Sequence, residues 1–122
     1  MFSIIIIGGE NVPDYKVFQD KCIQLLRNKV NSGERIRILT IGDEYVTKFS
    51  STFGIETKTF VCDFRKYGKD ALAVRNKAIL SEANAILYFN SGKKDLTNLY
   101  EYASKYKLNR RNIKIEELSN PQ

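Results

Sequence analysis

The sequence predicts the α/β fold class, with a single three-layer α/β/α domain around a mainly parallel five-stranded sheet. A run of consecutive isoleucines that ends at Gly8-Gly9 is typical of a strand buried on both faces. Strand-like and helix-like segments alternate along the chain, which favours right-handed crossovers between parallel strands. The length of 122 residues suits one domain. Together these observations indicate a Rossmann-like architecture.

The first half of the chain contains three predicted strands and two predicted helices. The strands cover residues 2–7, 36–41 and 55–61. The first helix follows the capping residue Asp14 and ends near residues 31–33. Its apolar residues recur at helical spacing: Phe18, Cys22, Leu25, Leu26 and Val30. The second helix begins at Asp43 or Glu44 and is closed by Gly54.

The second half predicts two more helices and two more strands. One helix opens at residues 68–70, and four of its residues are expected to face the core: Ala71, Val74, Ala78 and Ile79. A strand over 83–89 and a turn over 90–92 follow. The last helix is capped by Asp95 and carries an apolar stripe of Leu96, Leu99, Tyr100, Ala103 and Tyr106. A short strand over 113–115 ends the domain, which we place at 1–117 with a frayed tail at 118–122.

Composition excludes several kinds of site. The chain has no histidine, which rules out a Ser-His-Asp triad, and two distant cysteines leave no conventional zinc site. We interpret Cys22 and Cys62 as small buried hydrophobic residues. No segment approaches the ~20 apolar residues that span a bilayer, and the apolar start is too short for a signal peptide. We therefore expect a cytoplasmic protein without membrane contact.

The net charge of +6 is unevenly distributed. Residues 65–114 contain 12 Lys and Arg against 4 Asp and Glu, whereas the rest of the chain contains 8 against 10. One interpretation is attraction to an anion, either a phosphorylated ligand or nucleic acid. The other is that these charges only solvate helix faces.

Three strands end in glycine turns, at Gly8-Gly9, Gly42 and Ser91-Gly92. In open parallel sheets, ligands bind beyond the carboxyl ends of the strands, so these turns are expected to cluster at one edge. Glycine allows close approach of a phosphate, and the following helix N-termini offer free N–H groups. Taken singly, each glycine is explained by simple turn chemistry, and it is their joint placement that indicates a ligand site. Neither a GxGxxG fingerprint nor a P-loop is present.

The segment from Asp63 to Asn76 combines an aromatic residue, the Gly68 turn and an Arg75-Asn76 pair in one strand-to-helix connection. Arg75 lies within a helix near small residues. Its guanidinium either reaches a phosphate or extends to water along the helix surface.

These motifs resemble the YspA-like branch of the SLOG superfamily, whose relatives include the DprA/Smf and Lonely Guy proteins. The resemblance extends from Phe2 to about Ile115, and its most specific part is residues 63–76. It implies a Rossmann-like fold, a nucleotide-derived ligand and association into oligomers. The matching positions are Gly8-Gly9, Asp63-Phe64, Gly68-Lys69 and Arg75-Asn76, with looser matches at Ser91-Gly92 and Thr97.

The chain departs from the family pattern at several positions. Glu10 stands where the family has arginine, and Phe64 stands where it has tryptophan. The family's glycine-rich second loop is reduced to Gly42, followed by the acids Asp43 and Glu44. Residues 90–98 lack the glycine pattern and the glutamate with which the Lonely Guy enzymes cleave nucleotide N-glycosidic bonds. These departures disfavour both a phosphate at the second loop and the same hydrolysis.

Three functions follow as hypotheses. The first is a module that binds a nucleotide or nucleotide-derived ligand, with Lys93 or Lys94 as further donors. Its candidate ligand-binding residues are Gly8, Gly9, Glu10, Gly42, Asp43, Asp63, Arg75, Asn76, Ser91 and Gly92.

The second hypothesis is a nucleotide N-glycosidic hydrolase that uses one of the carboxylates of Glu10, Asp43, Glu44 or Asp63. Asp43 and Glu44 are also the residues that would hold Mg²⁺, although helix capping explains both acids. The third is a protein- or nucleic-acid-interaction module that has lost the ligand. Its surface would comprise Lys105, Lys107, Arg110, Arg111 and Lys114 with Tyr100, Tyr102 and Tyr106. The missing Lonely Guy motif and the absent histidine favour a non-enzymatic role.

Overall fold

A computed structural model describes residues 1–90, 94–106 and 108–114. Its centre is a five-stranded sheet in the order β3-β2-β1-β4-β5, in which each neighbouring pair is parallel. The predicted Rossmann-like α/β fold is confirmed. The strands are β1 (Phe2–Ile7), β2 (Ile36–Thr40), β3 (Glu56–Thr59), β4 (Ala85–Asn90) and β5 (Asn109–Lys114).

Helices cover both faces of the sheet. The α-helices are α1 (Tyr15–Asn31), α2 (Glu44–Phe53), α3 (Phe64–Tyr67), α4 (Ala71–Glu82) and α5 (Lys94–Tyr102). Short 3-10 turns span Gly9–Asn11, Gly68–Asp70 and Ala103–Tyr106. Helices α1 and α2 pack on the face of β1 that carries Ile4 and Ile6, whereas α4 and α5 pack on the face with Ile5 and Ile7.

The isoleucine run forms the central strand because it can be buried on both faces. Ile5, Ile6 and Ile7 have no exposed surface. Each such side chain contributes about 1.5–3 kcal/mol relative to an exposed one, so β1 anchors both cores. In contrast, β3 is an edge strand, and all four of its residues are exposed. It covers only Glu56–Thr59, so the strand predicted over residues 55–61 was too long.

Helix boundaries follow the capping residues. Asp14 accepts a hydrogen bond from the Lys16 amide and starts α1, and Gly54 in the left-handed conformation ends α2.

Some residues assigned to the core are not buried. Val30 is exposed in the last turn of α1, and Val74 and Ala78 are exposed on α4. The buried residues of α4 are Ala71, Ile79 and Leu80.

The connection between β3 and α4 contains a helix that the sequence did not predict. Asp63 accepts a hydrogen bond from the Lys66 amide and starts the four-residue α3.

Strand β5 begins at Asn109, four residues earlier than predicted. Helix α5 begins at Lys94, so Asp95 lies inside it and not at its N-cap. The predicted turn residues Ser91 and Gly92 and the tail at 118–122 lie outside the described residues.

No helix in the described ranges combines the length and the apolar character needed to cross a membrane.

Candidate functional site

Strand order brings the glycine turns together at one edge of the sheet. Strand β1 lies between β2 and β4, so the turns after β1 and β2 are neighbours at the carboxyl ends of the strands. The strand order reverses between β1 and β4, which is where open α/β sheets bind ligands. Ser91 and Gly92, which follow β4, are not among the described residues. The described part of this edge therefore consists of the turns after β1 and β2.

The Gly8-Gly9 turn is packed too closely for side chains. Gly8 has φ of 79°, and a Cβ there would overlap the Phe89 carbonyl oxygen of β4. A Cβ on Gly9 would lie 2.6 Å from Cε1 of Phe18 and 3.0 Å from Oδ2 of Asp43. Internal packing therefore accounts for both glycines. At Gly42, which has φ of 106°, the position of a Cβ is open.

Asp43 is the N-cap of α2 and is only 8% exposed. Its Oδ1 accepts hydrogen bonds from the amides of Tyr45 (3.0 Å) and Val46 (3.4 Å). Its Oδ2 accepts from the Glu10 amide at 3.2 Å. The carboxylate thus joins the turn after β1 to the start of α2.

Glu10 completes this arrangement from the other side. Its Oε1 accepts a hydrogen bond from the Glu44 amide at 2.8 Å. Together with Asp43, it satisfies the first three N–H groups of α2, those of Glu44, Tyr45 and Val46. A phosphate at this helix would find those donors engaged and two carboxylates beside them. The geometry gives a physical reason why the acids after β2 disfavour phosphate.

Burial and charge change the titration of Asp43. Burial of the carboxyl group is the largest cause of a raised pKa, and the negative charge of Glu10 raises it further, against the opposing effect of backbone hydrogen bonds. The folded protein therefore holds the Asp43 proton more tightly than the unfolded chain does. The free energy of unfolding consequently falls as the pH rises through this pKa.

Glu10→Gln is expected to lower the pKa of Asp43 toward the ordinary aspartate value. The amide keeps an oxygen acceptor for the Glu44 N–H but removes the neighbouring negative charge. Carboxyl carbon chemical shifts followed by NMR across an acid titration measure the change. Glu34→Gln, in an ion pair with Lys29 at the far end of α1, is the control and should leave the Asp43 pKa unchanged. An equal pKa in wild type and Glu10→Gln would show that Glu10 exerts no charge effect on Asp43.

Two buried donors next to this turn lack partners. Asn11 Nδ2 and Tyr15 Oη have no hydrogen-bond acceptor or donor among the described residues. Asn11 Nδ2 lies 3.3 Å from the position of a Cβ on Gly8. The Tyr15 ring packs edge-on to Tyr45, and the Lys48 ammonium lies 4.3 Å from its centroid. Sequence reasoning missed both residues, and their only signal was a pair of polar side chains soon after Gly8-Gly9.

Arg75 and Asn76 lie on α4, on the other face of the sheet. Both are half-buried, and Arg75 Nε donates a hydrogen bond to Asn76 Oδ1 at 2.9 Å. Within the described ranges Arg75 has no carboxylate partner. An isolated cation that is partly withdrawn from water is unfavourable unless an anion accompanies it. Asp63, by contrast, is used to cap α3.

In the part of the chain that is described, no group of three Cys, Asp or Glu side chains is arranged so that it could bind a metal ion. Cys22 is buried as predicted, and burial raises the pKa of its thiol. Cys62 is only half-buried, because it lies in the exposed connection after β3.

Comparisons of this chain with protein-family models, with curated proteins and with solved structures give no match.

Proposed function

We propose that the protein binds a nucleotide-derived ligand across the carboxyl edge of its sheet, where the strand order reverses between β1 and β4. The observation that carries the proposal is Arg75, a half-buried arginine whose side chain has no carboxylate partner among the described residues. Its hydrogen bond to Asn76 fixes Nε and leaves the two terminal nitrogens for an anion. Two parallel N–H donors of this kind suit the oxygens of a phosphate.

The charges near the start of α2 and in α4 support one orientation of such a ligand. The acids Glu10, Asp43 and Glu44 lie at the start of α2, whereas Arg75 lies one turn into α4. The phosphate would bind at the α4 side. The sugar would lie at the α2 side, where the exposed Glu10 carboxylate accepts hydrogen bonds from hydroxyl groups, as an acidic residue does for ribose in dinucleotide-binding sheets.

The carboxylates considered for hydrolysis have structural roles that do not need a substrate. Asp43 and Glu10 cap α2, and Asp63 caps α3. We therefore propose binding without catalysis.

Arg75→Ala is expected to abolish the thermal stabilisation that the ligand gives. The ligands to test are AMP, ADP, ATP, NAD, ADP-ribose and cyclic dinucleotides, each with and without Mg²⁺. A ligand present at about 100 times its dissociation constant stabilises by ~2.7 kcal/mol, which raises the melting temperature of a domain of this size by several degrees. Loss of the guanidinium removes the phosphate contact, so the shift should disappear.

The matched control is Arg27→Ala. Arg27 is an exposed arginine in the second half of α1, toward the amino ends of the strands. It should keep the full shift. Absence of a shift with every ligand, or an equal shift in Arg75→Ala, would contradict the proposal.

A further inference from the structure

The cations of the chain divide into two groups. The described ion pairs use Lys16, Lys29, Arg35, Arg37 and Lys58, whereas three other cations before residue 59, Lys21, Arg27 and Lys48, have no acidic partner among the described residues. After residue 58, no described lysine or arginine side chain has an acidic partner. The excess positive charge of the second half is therefore not neutralised by ion pairs among the described residues.

Exposed aromatic rings accompany these cations. Phe64, Tyr67, Tyr102 and Tyr106 are between 37% and 59% exposed. The Lys66 ammonium lies 5.2 Å from the centroid of the Tyr67 ring, and the Lys105 ammonium lies 4.9 Å from that of Tyr102. Aromatic faces and positive charges are thus presented together to solvent.

These residues lie on elements that neighbour one another in the fold. Helix α3 packs against α4, and the 3-10 turn at Ala103–Tyr106 packs against the same helix. A groove of about 220 Å³ lies between α4 and the end of α5, lined by Ala73, Asn76, Lys77, Leu80, Tyr102 and Tyr106. We call this surface the basic aromatic face, and it consists of Phe64, Lys66, Tyr67, Lys69, Lys77, Tyr102, Lys105 and Tyr106.

We infer that the basic aromatic face binds single-stranded nucleic acid. Unpaired bases stack on exposed aromatic rings, and lysines neutralise the phosphates between them. A duplex hides the faces of its bases, so exposed rings favour a single strand. The site goes beyond the proposed ligand site, because it uses the outer surface of α3, α4 and α5. It shares Asn76 with that site but needs neither the terminal nitrogens of Arg75 nor the glycine turns.

The groove on this face suits one base. Its volume is below that of pockets for whole drug-sized ligands, and it has a tyrosine at positions 102 and 106. Asn76 also lines it. The Arg75 Nε–H holds Oδ1 of Asn76, which leaves the amide NH₂ to donate to the edge of a base.

Fluorescence anisotropy with fluorescein-labelled oligonucleotides of about 12 nucleotides tests the inference. Single-stranded DNA, single-stranded RNA and a DNA duplex of the same sequence are titrated with the full chain at salt concentrations from about 50 to about 200 mM. We expect one or both single strands to bind at least about 5-fold more tightly than the duplex, and the two strands distinguish a DNA from an RNA ligand. Affinity should fall steeply with salt, because bound cations release counterions.

Two double variants separate the stacking and charge contributions. Tyr102→Ala with Tyr106→Ala should weaken binding at least about 5-fold and leave the salt dependence unchanged, since stacking releases no counterions. Lys66→Ala with Lys69→Ala should reduce the slope of log affinity against log salt by about 1.4, because about 0.7 is lost for each phosphate contact of a single strand. Phe53→Ala and Lys21→Ala, on the helices of the opposite face, are the controls and should change neither property.

Several results would overturn the inference. One is no binding of either strand at the lowest salt concentration. Another is tight binding that the tyrosine variant does not weaken, or equal competition by polyglutamate, which would identify a general polyanion surface. Self-association in sedimentation experiments that is lost in the tyrosine variant, without oligonucleotide binding, would assign the face to a second copy of the chain.

Discussion

Phe18→Ala is expected to lower the free energy of unfolding by about 4 kcal/mol. The Phe18 side chain is fully buried, and its ring packs against those of Phe49 and Phe89 at centroid distances of 6.2 and 5.0 Å. It also lies directly over Gly9. Removing the ring leaves a cavity between α1, α2 and β4, and urea denaturation measures the loss. An intact turn at Gly9 is needed for Asp43 to meet Glu10, so local order at the site should also decline.

The control for this prediction is Phe53→Ala. Phe53 is 46% exposed at the end of α2, and its ring contacts Phe49 from outside the core. Its replacement should cost below about 1 kcal/mol, because less apolar surface is transferred to water and no cavity is formed. If the two variants lost similar stability, the described packing around Phe18 would be wrong.

Gly8→Ala is expected to cost about 3 kcal/mol, which combines backbone strain with steric overlap. An L residue with positive φ costs about 1–2 kcal/mol, and forcing a methyl group against a packed backbone adds a cost of about 1–3 kcal/mol. The Phe89 carbonyl cannot move without disturbing β4, because β4 is hydrogen-bonded between β1 and β5. Thermal and urea unfolding measure the change.

Gly33→Ala measures the backbone strain without the steric overlap. Gly33 has φ of 78°, nearly the same as Gly8, but no atom lies within 4 Å of the position of its Cβ. Its replacement should cost only the strain, about 1–2 kcal/mol. Equal losses at Gly8 and Gly33 would mean that the turn after β1 does not approach β4 as described.

The architecture could be predicted from the sequence because it depends on repeated patterns. The isoleucine run specified a buried strand, and the residues Asp14 and Gly54 marked where helices begin and end. Helical periodicity indicates which residues share a face, but it does not indicate how far the sheet extends beneath that face. Val30 and Val74 were therefore assigned to the core although they are exposed. The length of β5 was missed because the polar residues Asn109–Asn112 form an exposed edge, which gives no apolar signal.

The candidate site was only partly predictable. Its glycines and acids were identified, but their contacts were not, because Glu10 and Asp43 are 33 residues apart and meet only when β1 and β2 pair. The capping role of Glu10 depends on a side-chain direction that spacing does not give. That Arg75 has no carboxylate partner among the described residues could not be predicted either, because it depends on where the fold places the carboxylates.

The position of β1 at the centre of the sheet has a consequence for synthesis. The strand emerges from the ribosome before either neighbour, and its pairing with β4 joins residues such as Ile4 and Ala85, 81 positions apart. At translation rates of ~5–20 residues per second, the most apolar segment waits about 4–16 s for its second neighbour. Apolar β-branched segments that remain unpaired are prone to aggregate. The nascent chain should therefore depend on chaperones during this interval, and it should be most vulnerable if translation pauses between β2 and β4.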